Sequence, residues 1–230
     1  MFLKVPNDNR YELKFVSYDI HYYKILNWIK LHKFNFNKEH NSRLVNNIYF
    51  DSISYDSFKD NIYGSSSRTK VRYRWYDKFS LLNPGKLEIK YKRNIFGWKK
   101  RFSVENLKII KEKSWKEVIS HLRQKLPKEG NIYLNKNSVP TIINQYFRDY
   151  FLSYDKKFRV TIDRNHGVFD QRSHQYINIS KKTLTQPIIV VEFKFNRENR
   201  DQVEGLTSNI PLRVSRNSKY VNSIRAVSGV

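Results

Sequence analysis

The segment that most constrains the fold is residues 67–75, in which cations alternate with residues that favour β-strands. Its sequence is SRTKVRYRW. Because successive side chains of a strand point to opposite faces, a strand here places four cations on one face: Arg68, Lys70, Arg72 and Arg74. Four like charges repel one another unless a strongly negative group lies against them. The segment therefore predicts a strand whose charged face meets an anion.

The same alternation recurs in four other segments, at residues 10–15, 86–92, 158–163 and 191–195. Three of the segments carry a Glu-x-Lys pair on the charged face: Glu12/Lys14, Glu88/Lys90 and Glu192/Lys194. Their opposite faces are apolar or aromatic and need burial against other elements. If the strands close into a barrel with helices outside, the charged faces line the interior. Such an interior suits a chain of phosphates together with a divalent metal ion.

The rest of the sequence predicts one α+β domain over residues 1–230, dominated by antiparallel strands. Further strands are expected at residues 45–50, 99–104, 145–154 and 175–179. Asn83-Pro84-Gly85 and Asn165-His166-Gly167 are turn signals between strands. Helices are expected at residues 19–33, 199–208 and 215–227, and the capping-box pattern that begins at Ser114 predicts another helix through Leu126.

The charge balance predicts a polyanionic partner. Lys and Arg number 44 against 21 Asp and Glu, a formal net charge of +23, which suits nucleic acid, an anionic membrane or polyphosphate. The absence of cysteine excludes disulfides, zinc fingers and thiol catalysis. No apolar run approaches the roughly 20 residues that span a bilayer, and the N-terminus (MFLKVP) turns polar too early for a signal peptide. We therefore expect a soluble, cytoplasmic protein.

Eight short motifs follow one another from residue 10 to about residue 225. They are RYELKF from Arg10, NIYFDS from Asn47, RTKVRYR from Arg68, LEIK from Leu87, YFR from Tyr146, RVTIDR from Arg159, VEFK from Val191 and SKYV from Ser218. Each motif alone is weak, but the ordered set resembles the VTC-domain polyphosphate polymerases of the triphosphate tunnel metalloenzyme (CYTH-like) superfamily. The resemblance implies an eight-stranded antiparallel β-barrel, the triphosphate tunnel, with helices packed outside.

The resemblance also implies a role for each matching residue. The basic residues that would line the tunnel and act on the triphosphate are Lys14, Arg72, Arg74, Lys90, Arg148, Arg159 and Lys219. Further substrate contacts would come from Arg68, Lys70, Tyr146, Lys194, Arg216 and Ser218. Glu192 would hold the metal ion, Mn²⁺ or Mg²⁺. At the position of Arg10, the triphosphatases and adenylyl cyclases of the superfamily carry a glutamate. An arginine at this position is similar to the VTC proteins and argues against a hydrolase.

The implied activity is transfer of the γ-phosphate of ATP to a growing polyphosphate chain, with release of ADP. Two alternatives stay open, namely hydrolysis of inorganic triphosphate or short polyphosphate in the same tunnel, and non-catalytic binding of polyphosphate or an inositol phosphate. ATP and polyphosphate are the expected partners. Any membrane partner would be a separate protein, because the chain has no transmembrane segment of its own.

Simpler roles remain open for several of these residues. Glu88 and Lys90 could form only a cross-strand salt bridge, Glu12 could only orient neighbouring cations, and Ser218 could be only the N-cap of the last helix. Nucleic-acid binding is disfavoured, because the aromatic residues of the 67–75 segment lie opposite its cations and cannot form a stacking platform with them. The sequence contains no Gly-x-x-x-x-Gly-Lys run, which excludes a P-loop.

Overall fold

The computed structural model describes residues 10–77, 84–94, 96–105 and 107–229. The N-terminal MFLKVP segment and Asn83 of the first predicted turn lie outside this part of the chain. Within it the protein is a mostly antiparallel sheet with helices, which confirms the predicted α+β class. None of the helices in the described ranges combines the length and the apolar character needed to cross a membrane.

The strands of the described residues belong to one sheet. They are β1 (Arg10–Tyr18), β2 (Asn37–Asp51), β3 (Ser67–Tyr76), β4 (Gly85–Arg93), β5 (Phe96–Val104), β6 (Val139–Leu152), β7 (Phe158–Asp170), β8 (Lys182–Thr183) and β9 (Ile188–Asn196). Their hydrogen-bonded order is β1-β9-β7-β6-β2-β3-β4-β5, with β8 paired to β7. No pairing among the described residues joins β1 to β5, so the sheet is open.

The helices lie between these strands and at the C-terminal end of the sequence. They are α1 (Tyr22–Lys30), α2 (Asp56–Ile62), α3 (Trp115–Lys125), α4 (Lys128–Lys136), α5 (Val203–Thr207) and α6 (Lys219–Ser228). Short 3₁₀ helices, Asp19–His21 and Arg197–Gln202, precede α1 and α5. The helix predicted at Ser114 forms as expected, because Ser114 and Glu117 make both hydrogen bonds of a capping box.

The chain divides into two compact units, and three strands (β2, β6 and β7) pass from one to the other along the sequence. The first unit comprises the described residues up to Arg43 with Tyr146–His166 and Gln186–Asn217. The second unit comprises Leu44–Gln145, Gly167–Thr185 and the residues from Ser218 onwards. The prediction of a single domain over residues 1–230 stays a prediction.

Each unit has its own apolar core. In the second unit, Tyr73 and Trp75 of β3 are almost completely buried together with Leu122 of α3. In the first unit, Phe15 of β1 packs edge-on against Phe193 of β9, with ring centroids 5.5 Å apart. The apolar faces of the alternating strands are therefore buried, as the sequence predicted.

The prediction of a strand at residues 175–179 is wrong. Only one isolated bridge, between Ser114 and Tyr176, forms in this segment. The Gln171 side chain takes the place of a neighbouring strand, since its amide donates to the Asn178 carbonyl and its oxygen accepts the Asn178 N–H. The Ile177 N–H donates to the Lys113 carbonyl at 3.1 Å, so Ile177 is buried with its N–H satisfied although no continuous ladder forms.

The last helix begins later than predicted, at Lys219 instead of residue 215. Val214 forms a bridge with Phe15, and the Ser215 N–H donates to the Lys14 carbonyl at 2.8 Å. These contacts hold residues 214–215 extended beside β1. The short helices α2 and α4 were not predicted.

Candidate functional site

The second unit holds a buried carboxylate surrounded by cations. Glu88 of β4 is 3% exposed, and Arg72 of β3 lies directly opposite it in the ladder. Arg72 donates from Nε at 2.8 Å and from Nη2 at 2.5 Å to the same oxygen, Glu88 Oε2. Arg101, Lys99 and Arg74 follow at 3.3, 3.4 and 3.8 Å from Glu88. One negative charge therefore faces four positive ones, and the cluster keeps an excess of positive charge.

Burial and the charges of this cluster shift the pKa values of two of its residues, Glu88 and Lys99. Burial raises the pKa of Glu88, but the charges of Arg72, Arg74 and Lys99 outweigh burial and hold this pKa far below its ordinary value. The pKa of Lys99 shifts in the direction that favours its neutral form. Loss of hydration lowers the pKa of its ammonium to about 8, and Glu88 only partly opposes this.

The two buried guanidinium groups are held in fixed orientations by neutral side chains. Arg72 Nη1 donates to the Tyr49 hydroxyl at 3.2 Å. Arg74 Nε donates to Asn47 Oδ1 at 2.8 Å, and Asn47 in turn donates to Asn144 Oδ1 at 2.8 Å. Because these partners fix the planes of both groups, little conformational entropy remains to be lost when an anion binds.

A cavity of about 410 Å³ opens beside this cluster. Its charged lining consists of Arg74, Lys86, Lys99, Arg101, Glu88 and Glu105. The other lining residues include Tyr76, Pro84 and Val104. With four cations against two carboxylates, the cavity suits an anion of modest size.

The remaining predicted residues of the second unit lie along β3, β4 and the start of α6. Lys70 Nζ donates to the Ser218 hydroxyl at 2.9 Å, and this hydroxyl accepts the Val221 N–H as the N-cap of α6. Lys90 lies opposite Lys70 in the ladder. Arg68 donates to the Ser65 carbonyl, and Lys219 is the first residue of α6. A helix N-terminus beside two lysines is a favourable place for an anion.

The first unit carries a second group of charges, on the face that β1, β9 and β7 share. Glu192 of β9 is 5% exposed and lies opposite Lys14 of β1. Lys194 Nζ contacts Glu192 at 2.7 Å and Glu12 at 3.8 Å, while Lys14 contacts Glu12 at 2.5 Å. Burial raises the pKa of Glu192, but Lys194 and Lys14 outweigh it and hold this pKa well below its ordinary value.

Arg148 of β6 is also buried in the first unit, with acidic partners. It donates from Nε and Nη2 to the two carboxylate oxygens of Asp163, at 2.5 and 2.7 Å, and lies 3.9 Å from Glu192. Its guanidinium also stacks over the fully buried ring of Tyr146, 5.3 Å from the ring centroid. Burial lowers the pKa of Arg148, but Asp163 reverses this and raises it above its ordinary value.

Two predicted residues of the first unit lie nearer to solvent. Arg159 of β7 donates from Nη2 to Glu39 at 2.8 Å, and its side chain is 41% exposed. Arg216 is exposed in the segment that precedes α6. The predicted site residues thus divide between the units, with Lys14, Tyr146, Arg148, Arg159, Glu192, Lys194 and Arg216 in the first and the others in the second.

The carboxylates of the first unit fit a divalent cation with few protein ligands. Glu12 and Glu192 both reach the Lys194 ammonium, so two carboxylates converge on a position that already holds a positive charge. The described residues contain no group of three or more acidic or histidine side chains arranged to hold a metal. A hard ion such as Mg²⁺ is commonly held by one or two carboxylates plus phosphate oxygens and waters, which is the arrangement these residues could supply.

Sequence reasoning missed the contribution of β5 to the Glu88 cluster. The residues of the run Lys99-Lys100-Arg101 were not among the predicted site residues, and strand alternation places them on two faces. Lys99 and Arg101 reach Glu88, whereas Lys100 pairs with Glu129 of α4. The signal was present in the sequence, because residues i and i+2 of a strand share a face.

Comparison with known proteins agrees with the ordered motifs. The sequence model of the VTC domain family matches residues 9–228. No curated protein matches the chain. A Vibrio parahaemolyticus protein described as a candidate adenylate cyclase superposes with a TM-score of 0.51 at 10% identity, over 94% of this chain and 97% of that chain. The PH1819 protein of Pyrococcus horikoshii OT3 gives a TM-score of 0.47 at 14% identity, over 93% and 96%.

At 10% identity, the likeness to the Vibrio protein supports the fold alone. The family match is different in kind, because it spans nearly the whole sequence and includes every motif from which the resemblance was inferred. The chain belongs to the VTC domain family.

Proposed function

We propose that this protein is an ATP-dependent polyphosphate polymerase that transfers the γ-phosphate of ATP to the end of a growing polyphosphate chain. Its family membership supports a phosphate-related role. The observation that carries the proposal is the excess of positive charge around Glu88, where the buried Arg72 and Arg74 and the more exposed Lys99 and Arg101 share one carboxylate. Buried cations need compensating negative charge, and a phosphate chain supplies it.

The chain's own residues would act by orientation and charge. Phosphoryl transfer needs little covalent chemistry from a protein, so positioning and electrostatic stabilisation supply most of the rate. Arg72 and Arg74 are held in fixed planes and can donate in pairs to phosphate oxygens, while Lys90 and Lys219 act as point charges. An oxygen of the terminal phosphate attacks the γ-phosphorus as the bond to ADP breaks, and these cations stabilise the charge that develops on the transferred group.

The first unit would hold the divalent ion, Mn²⁺ or Mg²⁺, through Glu192 with Glu12 beside it. When bound, such an ion shields phosphate charge and helps to orient phosphate oxygens. Lys194 contacts both carboxylates and Lys14 contacts Glu12, and the charges of the two lysines hold the pKa of Glu192 low enough to keep it ionised before any ion arrives. Arg148 is fixed by Asp163 and would present its remaining N–H donors to substrate.

A product assay tests the proposal. Purified protein is incubated with ATP and Mn²⁺, and the products are separated by gel electrophoresis and stained for polyphosphate. The wild-type protein is expected to make polymer. Glu192→Gln should lower the rate by at least about a hundredfold, as loss of one electrostatic stabiliser does in other enzymes. Glu198→Gln is the matched control, since Glu198 is exposed in the same unit, and it should be fully active.

The other outcomes separate the alternatives. Release of only free phosphate would identify a triphosphatase. Tight binding of polyphosphate without turnover would identify a binding domain. Full activity of the Glu192→Gln variant would remove Glu192 from the metal site.

A further inference from the structure

A buried hydroxyl in the first unit has no hydrogen-bond partner. Thr161 of β7 is 3% exposed, and among the described residues nothing bonds to its Oγ1. Burying a hydroxyl without a partner is unfavourable, and native proteins rarely do so. The matched threonine in the second unit behaves differently, because Thr141 is equally buried but donates to the Tyr49 carbonyl at 3.0 Å.

The position of Thr161 places this hydroxyl on the charged face. Thr161 lies directly opposite Glu192 in the antiparallel β7–β9 ladder, and Glu192 lies opposite Lys14 in the β9–β1 ladder. Directly opposite residues of an antiparallel pair share a face, with Cβ atoms about 4.5–5.5 Å apart. Lys14, Glu192 and Thr161 therefore form one row across three strands.

A second buried donor without an acceptor lies next to this row. Arg159 is two residues before Thr161, so its side chain leaves the strand on the same face. Its Nη2 is bonded to Glu39, but its Nε is buried and has no acceptor among the described residues. An arginine Nε–H can only donate, and a threonine hydroxyl can donate. Two such donors side by side call for a ligand with acceptor oxygens.

We propose that the Thr161 hydroxyl is a substrate-contacting group that donates a hydrogen bond to a phosphate oxygen of the ligand bound beside Glu192. This inference rests on the proposed function and adds a residue that the sequence motifs did not single out. A neutral hydroxyl suits this position, because Lys14 in the same row and Lys194 and Arg159 in the neighbouring row already supply positive charge. Thr161 would contribute the direction of a hydrogen bond without adding to the repulsion among these cations.

Binding of inorganic tripolyphosphate, measured by calorimetry with and without Mn²⁺, tests the proposal independently of turnover. Thr161→Val keeps the shape of the side chain and removes the hydroxyl. We expect it to weaken binding about tenfold to a hundredfold, the usual effect of losing a hydrogen bond to a charged group. Thr161→Ser keeps the hydroxyl and should bind within about threefold of wild type.

Thermal unfolding separates a ligand contact from a structural role. Because its hydroxyl has no partner, Thr161→Val should melt at the same temperature as wild type or about 2–4 °C higher. The matched control Thr141→Val should melt at a lower temperature, since it leaves the Tyr49 carbonyl without its donor, and should bind tripolyphosphate normally.

Three results would overturn the proposal. If Thr161→Val binds tripolyphosphate as tightly as wild type, the hydroxyl does not contact the ligand, while the proposed function stands. If Thr161→Val melts at a lower temperature and Thr161→Ser does not restore binding, the role is structural. If the wild-type protein itself fails to bind tripolyphosphate, the proposed function and the contact by Thr161 both fail.

Discussion

Glu88 compensates for only part of the charge around it, so its loss would leave four cations facing one another. We expect Glu88→Gln to lower the free energy of unfolding at pH 7 by about 3–5 kcal/mol, as removing one partner of a buried ion pair usually does. Glu129→Gln is the control, because the Glu129–Lys100 pair is about 40% exposed and should contribute about 1 kcal/mol at most. Urea denaturation measures both, and equal losses would contradict the central role of Glu88.

The same residue predicts a pH dependence of stability. The folded-state pKa of Glu88 lies far below its value in the unfolded chain, about 4.3, so the stability it contributes is present above that pH. As the pH falls below about 4.3, the Glu88 carboxylate binds a proton in the unfolded chain but stays ionised in the folded protein. The difference between wild type and Glu88→Gln should therefore shrink by about 1.4 kcal/mol per pH unit. A constant difference down to pH 2 would show that the carboxylate is not held ionised.

At the scale of elements, two helix N-caps offer a paired experiment. Ser114 caps α3 and Ser218 caps α6, each by accepting a backbone N–H three residues later. Replacing either with alanine should cost about 1 kcal/mol of stability, measured by urea denaturation. Only Ser218 also accepts a hydrogen bond from Lys70. Ser218→Ala alone should therefore weaken tripolyphosphate binding, by about tenfold.

Equal affinity in the two N-cap variants would reduce Ser218 to a capping residue. The Lys70 contact would then be a local packing feature of β3 and α6. This result would remove Ser218 from the predicted substrate contacts without affecting the Glu88 cluster.

The strands were predictable from sequence because alternation is a strong local signal. β3 and β4 follow the alternating pattern with Glu88 opposite Arg72, and the apolar side chains fill the core as expected. The helices α2 and α4 were not predictable in the same way. They span seven and nine residues, too few for a clear apolar period, and α4 contains Gly130. Tertiary packing decides whether such short segments are helical.

The candidate site was predictable in its residue types but not in its pairings. The Glu-x-Lys pattern places Glu88 and Lys90 on one face, yet the main partner of Glu88 is Arg72 on the neighbouring strand. Likewise, Glu192 contacts Lys194 of its own strand, β9, and lies 3.9 Å from Arg148 of β6. Ladder register selects these partners, and no local signal specifies register. Thr161 was missed because an isolated threonine in a strand is ordinary until its lack of a partner is seen.

At the scale of the whole molecule, the net charge of +23 makes stability depend on polyanions. A ligand that binds only the folded state at a hundred times its Kd stabilises that state by about 2.7 kcal/mol. Tripolyphosphate at that concentration should raise the melting temperature by about 5–10 °C. Sulfate at equal ionic strength is the control, because it screens charge without offering a chain of phosphates. Equal shifts in the two salts would argue against a specific site.

The pairing of β1 with β9 has a consequence for how the protein is made. Arg10 of β1 pairs with Asn196 of β9, far along the sequence. In contrast, β3, β4 and β5 follow one another in the sequence, and β4 pairs with both of its neighbours. During translation at 5–20 residues per second, β1 waits roughly ten to forty seconds for its partner, while the β3–β5 strands can already pair. Until β9 has been made, the nascent chain therefore carries a strand with an apolar face and without this partner, the kind of segment that chaperones bind.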